Sequence, residues 1–378
     1  MLTFIVSSTE LYSHLQQLNK VVPSKSTLPI LGNFLFNIED NTLKLTASDT
    51  ANTISTMLTL NNVEGTGSIC IDAKRLLDIL KEFGEQPITF NINTETLIVE
   101  LVTQNGKFSL AGYNAEDFPI IPELNKNFNT LTITGEALLS GIQKTIFAVA
   151  NDPLRPIMNG ICFDMSPTEF CFVSTDAHKL VRYKRFDIKV DFTESFILGQ
   201  KSANLLKSMI DKTDNNIVLS FDKQNVHFKF SNGSHIVCRL TEGVYPAYNS
   251  VIPVENPNKL TIDRVELMNS IKRVSIFSNP ATNLIRLQIN PNHIIIDAQD
   301  YDLATSGVEQ IACSYEGEPL EIGFKSLFLM EILANHTTPT VVIELSDPTR
   351  AGLVLAVEED HSIEDTLMLI MPMKINAE

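Results

Sequence analysis

Apolar positions along the chain alternate between the spacing of strands and the spacing of helices. Residues 3–6 have the apolar and β-branched content of a strand. Leu11, Leu15, Leu18 and Val22 then follow at the three- and four-residue intervals of an amphipathic helix. Alternating apolar runs after the next loop predict further strands. The chain therefore opens with a strand, a helix and a group of strands.

The same order of elements, namely one strand, one helix and three strands, is predicted six times. Asn105-Gly106 and Asn232-Gly233 lie between consecutive strand runs, where such pairs favour tight two-residue turns. The helical segments predicted by spacing and by capping residues are 8–22, 73–84, 136–150, 200–212, 264–278 and 325–336. Six similar units in succession indicate a repeat architecture.

A longer repeat groups these units in pairs. Leu2-Thr3-Phe4-Ile5 is repeated by Leu131-Thr132-Ile133-Thr134 and again by Leu260-Thr261-Ile262-Asp263, with an offset of 129 residues each time. Asn- and Pro-rich segments, which favour loops, lie near Pro122–Asn129 and Pro253–Asn258. We therefore predict three domains, which span residues 1–124, 128–253 and 258–378.

Antiparallel strands with one helix in each unit predict an α+β fold with helices on one face of the sheets. Strands that alternate apolar and polar residues predict that the other face meets water. Six equal units can form an open solenoid or an arc. Two such arcs can close into a ring if two chains meet head to tail.

Composition places the chain among ordinary globular proteins. It has 378 residues, of which 44% are apolar and 20% charged. No apolar run approaches the roughly 20 residues that span a bilayer, and the N-terminus lacks the pattern of a signal peptide. We expect a cytoplasmic protein. Its scattered cysteines, which show no metal-ligand spacing, are expected to be buried thiols: Cys70, Cys162, Cys171, Cys238 and Cys313.

Charge is distributed unevenly between the predicted helices and the rest of the chain. The net charge is −16, which taken alone argues against nucleic acid. The six predicted helices nevertheless contain twelve basic and seven acidic residues, a net charge of +5, which leaves −21 for the remaining residues. If the helices line one concave side, that side suits loose, sequence-independent contact with phosphates. Lysines that simply cover solvated helix faces remain an alternative.

Catalytic motifs are absent from the sequence. There is no phosphate-binding GxxxxGK[ST] loop, no GxGxxG, no HExxH and no GxSxG. Among the histidines, including His361, only His227 and His235 have a spacing that could resemble a ligand pair, and they are more typical of surface residues. The polar cluster Ser174-Thr175-Asp176-Ala177-His178 leaves open a hydrolase that uses Asp176 and His178.

Several short motifs, in this order and spacing, resemble the bacterial sliding clamp family, the beta subunit of DNA polymerase III. The resemblance covers the whole chain. The motifs are Thr27-Leu28-Pro29-Ile30-Leu31-Gly32-Asn33, Asn159-Gly160, Thr175-Asp176-Ala177-His178-Lys179-Leu180, Tyr245-Pro246, Glu321-Ile322-Gly323-Phe324 and Met371-Pro372-Met373-Lys374-Ile375.

The resemblance implies a fold, an assembly and a set of partners. The fold is three sliding-clamp domains, each of two β-α-β-β-β units, with helices inside and antiparallel sheets outside, forming half of a closed ring. The implied function is that of a processivity factor in DNA replication, without a catalytic site or a cofactor. A homodimer encircles double-stranded DNA irrespective of sequence. Short linear motifs of the replicative polymerase subunit, the clamp loader, other polymerases and repair proteins are the further partners; a membrane is not.

The resemblance also implies a partner-peptide pocket between the second and third domains. Apolar side chains would receive the Leu and Phe anchors of a peptide, methionines would adapt to different partners, and polar groups would fix the peptide backbone. The matching positions are Arg155, Met158, Thr175, Ala177, His178, Leu180, Tyr245, Pro246, Val251, Phe328, Leu369, Met371, Pro372 and Met373.

Contacts to DNA and to a second copy are implied in the same way. The implied DNA contacts are Lys25, Lys74 and Asn151. The implied dimer interface pairs edge strands of the first and third domains. Its apolar members are Phe108, Leu110, Ile276 and Phe277, flanked by Arg75 and Lys107 opposite Asp300 and Asp302.

Some positions depart from the family pattern. Ala177 stands where a glycine is common, Pro156 and Ile157 replace tyrosines of some members, and Ser250 replaces an arginine. The chain also extends beyond the usual end by Asn376-Ala377-Glu378. A repeat scaffold that binds only proteins remains the alternative to a DNA clamp, beside the hydrolase.

Overall fold

Each of the three repeats begins with a buried first strand, as the sequence pattern predicts. The computed structural model describes residues 1–357 and 363–375, so His361 and the extension Asn376-Ala377-Glu378 lie outside the described residues. Leu2, Leu131 and Leu260, the equivalent leucines of the repeat, are all buried.

The described residues contain six α-helices and 26 strands. The helices are α1 (Ser8–Leu18), α2 (Ala73–Lys81), α3 (Gly135–Thr145), α4 (Gln200–Lys207), α5 (Arg264–Val274) and α6 (Ser326–Asn335). The strands of the first two repeats are β1 (Leu2–Ser7), β2 (Asn33–Glu39), β3 (Thr42–Ser48), β4 (Asn52–Thr59), β5 (Asn61–Glu64), β6 (Gly67–Asp72), β7 (Pro87–Asn93), β8 (Ile98–Val102), β9 (Lys107–Tyr113), β10 (Asn129–Ile133), β11 (Gly160–Met165), β12 (Phe170–Thr175), β13 (Lys179–Arg185), β14 (Glu194–Gly199), β15 (Ile217–Phe221), β16 (Asn225–Lys229) and β17 (His235–Arg239). Those of the third repeat are β18 (Asn258–Asp263), β19 (Leu284–Asn290), β20 (His293–Asp300), β21 (Thr305–Ala312), β22 (Ser314–Glu316), β23 (Leu320–Lys325), β24 (Thr340–Leu345), β25 (Gly352–Ala356) and β26 (Glu364–Ile370).

The predicted order of one strand, one helix and three strands is confirmed in all six units, with β5 and β22 as additional short strands. Within each repeat the two units exchange strand partners. The strand before one helix pairs with the strand after the other helix, as in β1–β7 and β2–β6. The same antiparallel pairs recur as β10–β15 and β11–β14, and as β18–β24 and β19–β23. Neither unit of a repeat can therefore complete its sheet alone.

The helices begin within one residue of the predicted starts but end earlier than predicted. Side chains of Ser7, Asp72 and Asp263 accept backbone hydrogen bonds from the first turns of α1, α2 and α5. After α3 and α5 the chain continues as short 3-10 turns, at 146–148 and 275–277. Ala148 is buried in the first of these turns, whereas Ile276 and Phe277 of the second are exposed, although both turns continue the apolar spacing of the helix.

The chain forms two compact units, which divide the middle repeat. One unit comprises residues 1–139 and 204–240, and the other comprises 140–203 and 241–378. The first contains one sheet of thirteen strands, in which β17 of the middle repeat pairs with β4. The second contains sheets of nine and four strands, and in the larger one β13 pairs with β26. Sheets are thus continuous across the repeats, and the predicted domain borders remain a prediction.

The nine-stranded sheet buries apolar side chains on both faces. Val181, Met368 and Ile370 point into the core with α5 and α6. Leu180 and Leu369, their neighbours along the strands, belong to a smaller cluster on the opposite face. The prediction that the outer sheet face meets water is therefore wrong for this region, because Leu180 on β13, Leu353 on β25 and Leu369 on β26 form a buried apolar cluster there. No helix in the described parts of the chain is long and apolar enough to cross a membrane.

His336 makes the stability of the compact part formed by residues 140–203 and 241–378 depend on pH. Burial lowers the pKa of His336 from 6.5 to about 4, and the charges of Arg264 and Lys144 act in the same direction, whereas a backbone hydrogen bond with Val354 opposes them. The unfolded chain therefore takes up a proton below pH 6.5 that the folded chain refuses until about pH 4. Stability that is present above pH 6.5 is lost as the pH falls through this window.

Replacing the histidine should reduce this loss. We expect His336→Gln to remove about 2 kcal/mol of the decrease in unfolding free energy between pH 7 and pH 5. Urea unfolding of both proteins at the two pH values measures the difference, and the interval from pH 8 to pH 9 serves as the control, where both should change alike. Equal losses between pH 7 and pH 5 would contradict the assignment.

Candidate functional site

An apolar pocket of about 560 Å³ opens on the outer face of the nine-stranded sheet. Its floor consists of Leu180 on β13, Leu369 on β26 and Ala351 before β25, which also belong to the smaller apolar cluster. The floor is apolar because these strands bury both faces. A concave apolar surface of this size suits the side chains of a small ligand or a peptide.

The segment 245–253 forms one wall of the pocket. Pro246 and Pro253 restrict its backbone, and a short 3-10 turn runs from Tyr248 to Ser250. The hydroxyl of Tyr248 donates to Oδ2 of Asp164 on β11 at 2.7 Å. Burial raises the pKa of Tyr248 above its usual range, and the hydrogen bond to Asp164 acts in the same direction. The phenol therefore stays protonated and holds this wall to the sheet.

The turn between β12 and β13 forms a second wall. Oγ1 of Thr175 accepts the N–H of Ala177 at 3.1 Å and donates to the carbonyl of Lys179 at 2.8 Å. Oδ1 of Asp176 accepts the backbone N–H groups of His178 and Lys179, both at 2.9 Å. The carbonyl of His178 accepts the N–H of Met371 at 2.8 Å. The turn is therefore fixed at several points.

Lys179 is a buried cation within this wall. Its Nζ lies 2.7 Å from Oδ2 of Asp176 and 2.9 Å from Oε2 of Glu331. It also lies 4.5 Å from the centre of the Phe328 ring, on which the His178 ring stacks at 5.5 Å. Two carboxylates and an aromatic face thus compensate the buried charge.

The lip of the pocket is also close to electrical neutrality. Nε of Arg350 lies 3.2 Å from Oδ2 of Asp347, three residues away along the chain. Beside the pocket, Nε of Arg155 lies 2.8 Å from Oδ2 of Asp152, and this contact holds the pKa of Asp152 below its usual value. The pocket therefore offers apolar contact without a strong field of either sign.

The geometry does not support hydrolysis at Asp176 and His178. The carboxylate of Asp176 is occupied by two backbone N–H groups and by Lys179, so it does not orient the imidazole of His178. Ser174 is fully buried and donates its hydroxyl to the carbonyl of Thr145. Nucleophile, base and orienting acid are thus not aligned as hydrolysis needs.

Basic residues are concentrated on only some of the helices. Among the described residues, the six helices contain nine basic and five acidic side chains. The basic ones are Lys74, Arg75 and Lys81 on α2, Lys144 on α3, Lys201 and Lys207 on α4, and Arg264, Lys272 and Arg273 on α5. Lys144 and Arg273 are ion-paired with Glu364 and Glu309. The positive charge is therefore weaker and less even than the sequence count predicted.

The predicted DNA contacts all lie on the surface. Lys25 is exposed in the loop after α1, and Asn151 is exposed in the loop after α3. Lys74 is exposed at the start of α2, where it lines a groove of about 330 Å³ with Tyr12 and Gln16 of α1. Lysine and amide side chains of this kind suit phosphate oxygens.

The predicted dimer strands have unpaired edges. Among the described residues, β9 pairs with β6 only at Gly112 and Tyr113, so residues 107–111 pair with β8 alone. Strand β21 is the edge strand of the four-stranded sheet. Phe108 and Leu110 are half-buried, whereas Ile276 and Phe277 are exposed. Such edges normally require a partner or protection.

One predicted interface charge is placed differently. Asp300 is buried, and its Oδ1 accepts the N–H groups of Asp302 and Leu303 at 2.9 and 3.2 Å. It caps the turn after β20, so the role of a surface partner for Arg75 or Lys107 does not fit it. Asp302 is exposed. Nζ of Lys107 lies 3.6 Å from Oε2 of Glu100 in the same sheet.

Comparison with known proteins decides the family. Three family models of the DNA polymerase III beta subunit match in order: the N-terminal domain over residues 2–122, the central domain over 132–247 and the C-terminal domain over 249–374. The chain belongs to the DNA polymerase III beta subunit family. Its members are sliding clamps that act as processivity factors and not as enzymes, so the hydrolase hypothesis is wrong.

Individual relatives agree with this over the whole length. The chain is 27% identical to the beta sliding clamp of Vibrio cholerae over 378 residues, which cover 98% of this chain and 100% of that one. For Synechococcus elongatus the identity is 29% over 356 residues, with 91% and 93% covered. The crystal structure of the Pseudomonas aeruginosa subunit has a TM-score of 0.92 and 25% identity, and covers 99% and 100%.

The structure brings together most of the residues predicted for a clamp's peptide pocket. Those that line it are Met158, Thr175, Ala177, His178, Leu180, Pro246, Val251, Leu369 and Met371. Tyr245 lies in the apolar cluster beneath, and Phe328 stacks behind His178. Arg155 lies in the loop beside Met158, and Pro372 and Met373 follow Met371, where the N–H of Met373 donates to the carbonyl of Gly323. These five do not line the cavity.

The pocket residues predicted from the family resemblance left out about half of the residues that line the pocket. The additional residues are Lys179, Ala247, Tyr248, Ser250, Ile252, Pro253, Thr349, Arg350 and Ala351. Apolar residues on both faces of 351–355 and 367–370 could have indicated a covered outer face. Nothing in the sequence spacing places residues 349–351 opposite 246–253.

The buried charge of Lys179 provides a test of this architecture. Lys179→Met should lower the free energy of unfolding by about 2 kcal/mol, because two carboxylates lose their shared cation while Glu331 can partly recover hydration. Arg350→Met, which removes an exposed ion pair on the lip, should cost less than about 0.5 kcal/mol. Urea unfolding measures both variants. If both variants lost the same small amount of unfolding free energy, the ion pairs of Lys179 would contribute no more to stability than an exposed ion pair.

Proposed function

We propose that this chain is a sliding clamp, two copies of which close head to tail around duplex DNA and tether the replicative polymerase to it. The observation that carries the proposal is the six-fold repeat of one β-α-β-β-β unit, in the same fold as beta clamps over almost the entire chain. Because the β-α-β-β-β unit is repeated, the chain can present a similar helix to the DNA from each of the six units. No single catalytic motif is needed for such a function.

The charge distribution supports loose attraction to DNA. Exposed Lys74, Arg75, Lys81 and Lys272 lie on helices, whereas the whole chain carries −16. Contacts of this kind neutralise phosphates without reading bases. Lys25, Lys74 and Asn151 are proposed DNA contacts. A small positive excess attracts the duplex without fixing it at one position, which is what sliding requires.

Two free strand edges support ring closure by dimerisation. We propose that β9 of one chain pairs with β21 of the other, so that Phe108 and Leu110 meet Ile276 and Phe277. Backbone hydrogen bonds would satisfy both edges, and the apolar side chains would lose their contact with water. Arg75, Lys107 and Asp302 would flank the interface, without Asp300.

The pocket is proposed to bind linear peptides of the polymerase, the clamp loader, other polymerases and repair proteins. Its apolar floor suits Leu and Phe anchors, and its neutral rim admits partners of different charge. Clamps of Pseudomonas aeruginosa and Bartonella birtlesii have been solved bound to griselimycin, which supports a ligand site in this fold. Replication takes place in the bacterial cytoplasm, where we place the protein.

Topological binding gives the decisive experiment for DNA. After a clamp loader places the protein on a nicked circular plasmid, the protein should remain bound through gel filtration in moderate salt. Cutting the plasmid once should release it, because a closed ring can slide off an open end. Labelled protein measured in the DNA fractions gives the result, and a plasmid without the cleavage site is the control. Equal retention on cut and uncut DNA would contradict encirclement.

The peptide pocket can be tested at its exposed lip. Val251→Asp should weaken binding of a labelled Ser-Leu-Ser-Leu-Phe peptide by about tenfold or more, because it places a charge against apolar anchors. Val244→Asp, at an exposed position just before that segment and outside the lining, is the matched control and should bind normally. Fluorescence anisotropy measures affinity. Equal effects of the two substitutions would move the peptide site elsewhere.

A further inference from the structure

Ala177 has a backbone conformation that alanine rarely adopts. Its φ is +74°, in the left-handed region that favours glycine. The other non-glycine residues with positive φ in the described chain are Asp40, Thr50, Asn62, Leu97, Asn283 and Ala304. Asparagine and aspartate tolerate this region because their side chains bond locally, but alanine has no such compensation. Of these residues, Ala177 is the one that lines the apolar pocket.

The surrounding hydrogen bonds prevent the turn from relaxing. The N–H of Ala177 donates to Thr175, and Asp176 accepts from both following residues. The strands on either side are paired from Thr175 with Leu180 onward. The methyl group is therefore held at a fixed place in the pocket wall. Met371, which also lines the pocket, has a flexible side chain and can adapt.

A glycine would meet the demands of this turn without strain. Alanine adds one methyl group, on an exposed residue that lines the pocket. Local strain that persists at a binding site points to a functional role of the strained residue. We therefore expect this methyl group to affect the shape of the pocket and not to stabilise the fold.

We propose that Ala177 is a specificity-determining residue that limits the size of one peptide anchor. Its methyl group narrows the pocket so that a leucine-sized side chain enters and a longer one is rejected. This inference rests on the proposed peptide binding. A difference of one methylene in an apolar pocket typically changes affinity by about tenfold or more, which is the scale expected here.

The test uses the full-length protein and the labelled peptide Ser-Leu-Ser-Leu-Phe. In separate peptides each leucine is replaced by homoleucine, and the phenylalanine by homophenylalanine. Fluorescence anisotropy gives the ratio of dissociation constants for long and normal anchors. We expect a penalty of about tenfold at one anchor position, which Ala177→Gly largely removes.

Two further variants separate side-chain size from backbone strain. Ala177→Asn also suits a positive φ but enlarges the side chain, so the penalty should increase. Ala304→Gly relieves a positive φ of +51° in an exposed turn outside the pocket lining, and should leave the ratios unchanged. Both glycine variants should have melting temperatures equal to or above that of the unaltered protein.

The outcomes are distinguishable. Ratios that stay constant in all variants, an unaltered protein without size discrimination, or glycine and asparagine shifting the ratio in the same direction would each overturn the role of Ala177. Absence of all peptide binding by the unaltered protein would instead overturn the proposed peptide function, and this inference with it.

Discussion

The exchange of strand partners between paired units is the constraint on which the rest of the fold depends. Strand β1 cannot complete its hydrogen bonds within its own unit and pairs with β7, while β2 pairs with β6. Buried backbone groups must find partners, so neither unit is stable alone. The same need extends across repeats, where β17 pairs with β4 and β13 with β26. Sheets that continue from one repeat into the next are the result.

The pocket follows from this continuity. At the junction of β13 with β26, the sheet carries apolar residues outward as well as inward, and the outward ones cannot face water over a large area without cost. The segment 245–253 covers part of them, anchored by the hydrogen bond of Tyr248 to Asp164. The part left uncovered is the pocket floor around Leu180 and Leu369. The proposed peptide-binding surface is thus the incompletely covered core of a junction between repeats.

Sequence alone predicted the repeat, the six helices and the family, because each depends on local spacing or on short motifs. It did not predict that Arg350 and Tyr248 line one cavity, since that depends on how distant segments meet. It placed Asp300 at an interface, although the turn after β20 uses its carboxylate internally. It extended α3 and α5 too far, because the short 3-10 turns that follow them continue the apolar spacing of the helices. Local sequence patterns therefore predict secondary-structure elements and family membership, whereas the burial of a single polar side chain can be recognised only from the tertiary structure.

The proposed DNA-binding surface and the proposed peptide pocket have opposite requirements for the strength and direction of their contacts. A surface that slides on DNA must avoid deep, directional contacts, and the proposed DNA contacts, such as Lys74 on α2, would attract the duplex without a fixed register. A surface that holds a partner needs a defined shape, which the turn around Ala177 would supply in the proposed peptide pocket, where the charge of Lys179 is paired inside the wall. A neutral pocket also avoids competing with DNA for the same basic side chains. If both proposals hold, basic helices and an apolar pocket on the sheet are separate surfaces, which would let one chain remain mobile on DNA while it retains a partner.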